Sequence, residues 1–175
     1  MRLGALLLVL VPAFWGAAAT AQTTQPVPAA PAAQTAPAGL EYLVGNWSVS
    51  ARDPGTGETF TIGYRVEPTL GGAWLAGSAE APELGFRARD IWGLDQRTGE
   101  IMRIVFDGSG VYGIYRSRGW QGDTLVLEGE ALSKGGATRS RETIRRLGPR
   151  EFEAVWEALR GGKWIAYSIE RVTRT

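Results

Sequence analysis

Neither cysteine nor histidine occurs in the 175 residues. Without cysteine there are no disulfides, no thiolate metal sites and no lipid on an N-terminal cysteine. Without histidine, Ser-His-Asp and Cys-His catalysis are both excluded. Zinc loses its two commonest ligands, and haem its usual axial ligand. Charge is sparse too. The net value is +1, and it falls to zero once a leader carrying Arg2 is removed, so no basic surplus points to nucleic acid. Lysine is almost missing, 2 against 17 arginines. A GC-rich coding sequence, which also favours Ala, Gly and Pro, accounts for that bias better than selection for bidentate anion binding. No metal or organic cofactor is expected, and no catalytic residue is assigned.

Long apolar runs are also absent. Met1 to Ala21 reads as a secretory signal: Arg2 is the charged start, Leu6 to Val11 the apolar stretch, and Ala19-Thr20-Ala21 a small-x-small cleavage site. Pro12 and Gly16 break the stretch too early for a membrane span. Gln22 to Ala38 follows with four prolines, six alanines and no charge or aromatic ring. Such a segment buries too little surface to fold and reads as a semi-extended spacer. The expected organisation is therefore signal 1–21, spacer 22–38 and one domain over 39–175. The location is periplasmic or secreted, in a bacterium, with no membrane span after cleavage. Nothing in the sequence sets an oligomeric state. A domain without disulfides relies on its own core, and 39–175 is long enough to bury one.

What the domain does contain is alternation. After a short helical turn at Leu40 to Val44, ten apolar-alternating runs are separated by glycine-rich or charged turns. Strands are predicted near 46–52, 59–67, 73–80, 85–94, 100–106, 111–118, 124–130, 138–146, 151–158 and 163–172. The period-2 signal is clearest for Phe60, Ile62, Tyr64 and Val66, for Phe86, Ala88, Asp90 and Trp92, and for Phe152, Ala154, Trp156 and Ala158. One polar face per strand suits a sheet wet on one side. The turns at 53–57, 95–99, 107–110 and 160–162 carry hairpin chemistry. A ten-strand antiparallel meander must close or stack to remove its edges. The fold class expected is all-β, an up-and-down closed barrel of about ten strands; a two-sheet sandwich is the alternative.

Gly45-Asn46-Trp47 matches the G-x-W that opens many lipocalin-like, or calycin, barrels. Gly71-Gly72-Ala73-Trp74-Leu75, the turn Gly93-Leu94-Asp95-Gln96-Arg97-Thr98-Gly99, Leu125 to Glu130, Arg141 to Arg146 and Ile169 to Arg174 follow in order. In that order the chain resembles bacterial proteins of the domain-of-unknown-function 1579 family over nearly all of 40–174. The resemblance implies a barrel related to lipocalins and fatty-acid-binding proteins, and no established activity. It also implies that Trp47 closes one barrel end beneath an arginine of the last strand, Arg171 first and Arg174 as the alternative. Similar barrels of the nitrobindin group hold haem through a histidine, which this chain lacks.

Other motifs carry less. Gly108-x-Gly110-x-x-Gly113 fits a dinucleotide-binding pattern, but a strand follows where a helix is needed, so it reads as a hairpin. Asn46-Trp47-Ser48 is a sequon only by coincidence. Arg139, Arg141, Arg145, Arg146 and Arg150 read as solvated cross-strand partners of Glu142, Glu151, Glu153 and Glu157. Asp90 shares a face with Phe86 and Trp92. If inward, it is an enclosed carboxylate needing an arginine such as Arg65, Arg103 or Arg116. Trp120 is expected at the exposed rim.

The candidate ligand-contacting residues are Tyr64, Trp74, Asp90, Trp92, Tyr115 and Trp156. The leading expectation is an exported, non-enzymatic binder of a small hydrophobic or amphipathic molecule, because a ring of ten strands is wide enough to leave interior space. A cofactor-free isomerase, lyase or cyclase is the rival, and it expects Asp90 and a tyrosine within hydrogen-bonding distance. A protein-interaction module is the third, and it expects a filled interior and an exposed apolar patch.

Overall fold

The computed structural model describes residues 36–175; the expected signal and residues 22–35 of the expected spacer lie outside them. Ten strands run β1 Gly45–Arg52, β2 Thr59–Thr69, β3 Trp74–Ala81, β4 Phe86–Leu94, β5 Ile101–Asp107, β6 Tyr112–Ser117, β7 Thr124–Ser133, β8 Gly136–Gly148, β9 Glu151–Arg160 and β10 Lys163–Arg174. Each pairs antiparallel with the next, and β1 pairs with β10, so the sheet is a closed up-and-down barrel. Every predicted strand is present within a few residues at each end. The turn before β1 is a 3-10 turn at Glu41–Leu43. Among the described residues no helix is long and apolar enough to cross a membrane.

Alternation decides what fills the barrel. In the half nearest the 3-10 turn the buried side chains are large: Leu43, Trp47, Leu75, Trp92, Leu125, Leu127, Ile144 and Phe152. Each contributes about 1.5–3 kcal/mol by leaving water. In the other half several interior positions are small. Ala79, Ala88, Gly113 and Ala131 line open space, and Ala51 and Ala158 are buried beside them. The same ring of strands is therefore packed at one end and hollow at the other.

The packed end is sealed by Trp47. Its indole N–H donates to Leu43 O at 2.8 Å, and the Arg174 guanidinium lies 4.2 Å from its ring centre. Arg174 also donates to Val44 O at 2.6 Å and Tyr42 O at 3.0 Å, tying the last strand to the entry segment. Gly45 makes this possible: its φ is +143°, and a Cβ there would lie 2.2 Å from Arg174 Nη1.

The expected closing residue Arg171 is corrected to Arg174. Cross-strand partners share a face, and Trp47 pairs with Arg174, whereas Arg171 pairs with the exposed Ser50. Arg171 sits outside, 2.5 Å from Glu151. Trp120 is not a free rim residue either: its indole donates to Gly39 O at 2.7 Å, and Arg146 stacks on it at 3.6 Å.

Candidate functional site

The hollow half encloses a cavity of about 330 Å³. Its walls are aromatic and aliphatic, with Phe86, Tyr115, Trp156, Tyr167, Ile62 and Val105 among them. Tyr112 and Tyr167 also line it and are 47% and 43% exposed, so the cavity reaches the surface. Tyr167 owes its position to an irregularity. The β9–β10 register shifts between Ala166 and Ser168, leaving Tyr167 without a paired partner.

A polar layer separates cavity from packed core. Asp90 on β4 is 3% exposed. Its Oδ2 accepts from Arg103 Nε at 3.0 Å, Arg103 Nη2 at 2.5 Å and the Tyr64 hydroxyl at 2.9 Å. Arg103 Nη1 donates in addition to Glu142 Oε2. The guanidinium is held between rings, 4.4 Å from Trp92 and 5.2 Å from Trp156. Trp92 Nε1 donates to the Tyr64 oxygen at 3.2 Å. One guanidinium thus serves two buried carboxylates on strands β4 and β8.

Backbone makes room for this layer. Gly77 on β3 stands opposite Asp90. A Cβ at that position would fall 1.7 Å from Asp90 Oδ1 and 2.9 Å from the Tyr64 hydroxyl oxygen. That same Oδ1 is fully buried and accepts no hydrogen bond.

The electrostatics follow from burial and pairing. Burial works against the charge on Arg103, but Glu142 and Asp90 together outweigh it and hold the side chain protonated well above its ordinary range. Burial raises Glu142, with Arg103 opposing the rise. Burial, then the Asp90 charge, pushes Tyr64 well above its ordinary value. Tyr115 rises through burial, and Tyr167 is pushed up to about 12 by the same cause.

Glu170 on β10 is tuned near neutrality. Ser168 Oγ donates to its Oε1 at 3.1 Å. Burial first, then the neighbouring Glu142, raise it from 4.5 to about 7. It faces the small residues Ala51 on β1 and Ala154 on β9, which leave space around the carboxyl.

Of the residues expected from sequence, Tyr64, Asp90, Trp92, Tyr115 and Trp156 lie together on this cavity and its polar floor. Trp74 does not. Its neighbour Leu75 is the inward residue, fully buried opposite Trp92. Trp74 lies outside, flat enough against Gly93 that a Cβ there would come within 2.3 Å of its ring. Glu142, expected among exposed cross-strand pairs, is inward instead and 3% exposed. Three of the arginine cluster do pair across strands, Arg139 with Glu128, Arg141 with Glu157 and Arg145 with Glu153; Arg146 instead packs on the Tyr42 and Trp120 rings, and Arg150 donates to Arg174 O. Arg65 and Arg116, the other conceivable partners of Asp90, bind Glu67 and Asp95 outside. Glu142, Glu170 and Tyr167 were the site residues missed. Glu142 alternates with Ile144, and Glu170 with Val172, so parity from a buried aliphatic neighbour was the available signal.

The fold and site define a half-hollow antiparallel β-barrel with an ionic floor. No family model matches the chain, and no curated protein matches it. Among solved structures, a redesigned β-barrel is similar at 13% identity and a TM-score of 0.39, covering 81% of this chain and 99% of its own. That likeness is too loose to bear on function.

Proposed function

We propose that this protein is an exported, lipocalin-like binding protein that carries a small amphipathic molecule in the barrel. One observation carries the reading: a cavity of about 330 Å³ lined by rings and ending on fixed polar groups. Cavities that hold small molecules are mostly apolar, near this size or larger, with few well-placed polar atoms. The hollow is built in, because alanine or glycine occupies the inward positions 79, 88, 113 and 131. Asp90 serves as architecture in this reading. Its ion pair with Arg103 holds the wall together, and Tyr64 and Trp92 complete the layer.

The test is native mass spectrometry of the exported protein for a co-purified ligand, together with titration by 1-aminoanthracene, a neutral fluorescent probe. Saturable binding lost in Ala131→Phe, which fills the hollow, is the expected result. A bare mass and no probe binding would overturn the reading.

A second reading has its own observation. A carboxyl group raised to about 7 has the proton affinity of a general base or acid at neutral pH. A cofactor-free enzyme would use Glu170 rather than Asp90. Asp90 lies 2.9 Å from a tyrosine hydroxyl, as the enzyme reading expects, but that same oxygen is already occupied by Arg103. Chemical change of the co-purified ligand on incubation would favour the enzyme.

A further inference from the structure

Around the cavity the carboxyl groups of Asp90, Asp107, Glu142 and Glu170 outnumber the cations Arg89 and Arg103. Asp90 and Glu142 share the single guanidinium of Arg103. Glu170 forms no ion pair among the described residues; its bond is from Ser168, with the Trp156 indole as a weaker donor nearby. Arg103 spends Nε, Nη1 and Nη2 on the two shared acids. Tyr64 spends its O–H on Asp90. Asp90 Oδ1, in a residue only 3% exposed, is left with no donor at all. That oxygen is packed against Gly77 in the wall, so Glu170 is the carboxyl an occupant meets, and a donor or cation satisfies it where an acceptor does not. The walls beside Glu170 point the same way. Trp156 packs edge-on to Tyr115 at 5.5 Å and tilted against Tyr167 at 6.4 Å, giving π-faces and edges around the free carboxyl. Aromatic walls with a carboxylate attract cations by ring quadrupole and by charge.

Resting on the reading of the barrel as a binder, we infer that its ligand is a cationic amine with an apolar body. The ammonium sits against Glu170 between Trp156 and Tyr167, and the apolar part fills the space bounded by Ala88, Gly113 and Ala131. A fatty acid or other anion is disfavoured, because Arg103 is already doubly engaged and Arg89, the other cation on the lining, is exposed and paired with Glu80.

The test is isothermal titration of the full exported protein at pH 8 with three probes of nearly one shape: tryptamine, tryptophol and indole-3-propionate. Tryptamine should bind at least about tenfold tighter than tryptophol, with the propionate weakest, since a desolvated carboxylate discriminates charge strongly. In Glu170→Gln the advantage of tryptamine over tryptophol should fall below about threefold while tryptophol itself binds as before. Equal binding of tryptamine and tryptophol, or tighter binding of the propionate, overturns the amine inference and leaves the binder standing. Loss of tryptophol binding along with tryptamine in Glu170→Gln also overturns it, because the change then damaged the pocket rather than the charge. Failure of all three probes overturns it as well; the binder reading falls with it only if 1-aminoanthracene also fails.

Discussion

Replacing Glu170 by glutamine should make the barrel more stable, and only above acidic pH. In the folded protein the Glu170 carboxyl is raised from 4.5 to about 7 by burial and by Glu142. Its other facing groups are Arg103, which opposes the rise, and Tyr167, which is neutral throughout this range. The flanking positions on β1 and β9 are Ala51 and Ala154, which do not ionise. Below about pH 4.5 the carboxyl is protonated both folded and unfolded, and no penalty exists. Between 4.5 and 7 the folded state binds more protons than the unfolded one, so stability falls as pH rises. At about 1.4 kcal/mol per pH unit, the full cost above pH 7 is about 3 kcal/mol, with water at the half-buried side chain reducing it. Glutamine keeps the shape and removes the charge. Urea unfolding at pH 4.5 and pH 8 should therefore give no difference at the lower pH and a gain of about 2–3 kcal/mol at the higher one. The melting temperature at pH 8 should rise by roughly 6–10 °C for a domain of this length. Groups that do not sense Glu170 are common to both proteins and cancel in the comparison; the repulsion from Glu142 is already counted in the raised value. Equal offsets at the two pH values, or a loss at pH 8, would refute the argument.

Further expectations concern the floor and the seal. Arg103→Met strands Asp90 and Glu142 without a cation and should cost about 3–5 kcal/mol at pH 7 by urea denaturation, less at pH 4.5, where Glu142, already raised by burial, takes up a proton. A loss that does not vary with pH would count against the ionic explanation. Gly77→Ala, whose new methyl meets Asp90 Oδ1 at 1.7 Å, should cost at least about 2 kcal/mol by displacing the Asp90 carboxylate and the Tyr64 hydroxyl. Arg174→Ala should lose about 1–3 kcal/mol, because it removes two backbone hydrogen bonds and the cover of Trp47. Arg171→Ala, losing only an exposed pair, should stay within about 0.5 kcal/mol; comparable losses in the two would undo the assignment of Arg174 as the seal.

Strand number and order could be read from alternation because one face of each strand is wet and the turns use glycine and aspartate. Facing was readable where large apolar residues alternate with charges, as from Phe60 to Val66. It failed at Trp74-Leu75, where two adjacent apolar residues give alternation nothing to choose between. It failed again at Glu142, since a charged residue in an arginine-rich strand looks solvated until the opposing strand supplies its partner. Arg103 and Glu142 lie 39 residues apart, and only closure of the sheet brings them together. Ring circumference was a poor guide to the cavity. The same ten strands are solid where Trp47, Leu75 and Leu125 point inward. They are hollow where Ala79, Ala88 and Ala131 do. The size of individual inward residues, not the number of strands, carries that information.

The seam between β1 and β10 has a consequence for how the protein is made. Arg174 reaches Tyr42 across 132 residues of chain, and every other strand pairs with a neighbour in sequence. During synthesis the hairpins can zip one after another as they emerge from the ribosome, yet the two outer strands keep bare edges until β10 arrives. The nascent chain is then a curved open ribbon with a sticky border at each side. It stays vulnerable to pairing with another copy until the final stretch snaps the cylinder shut.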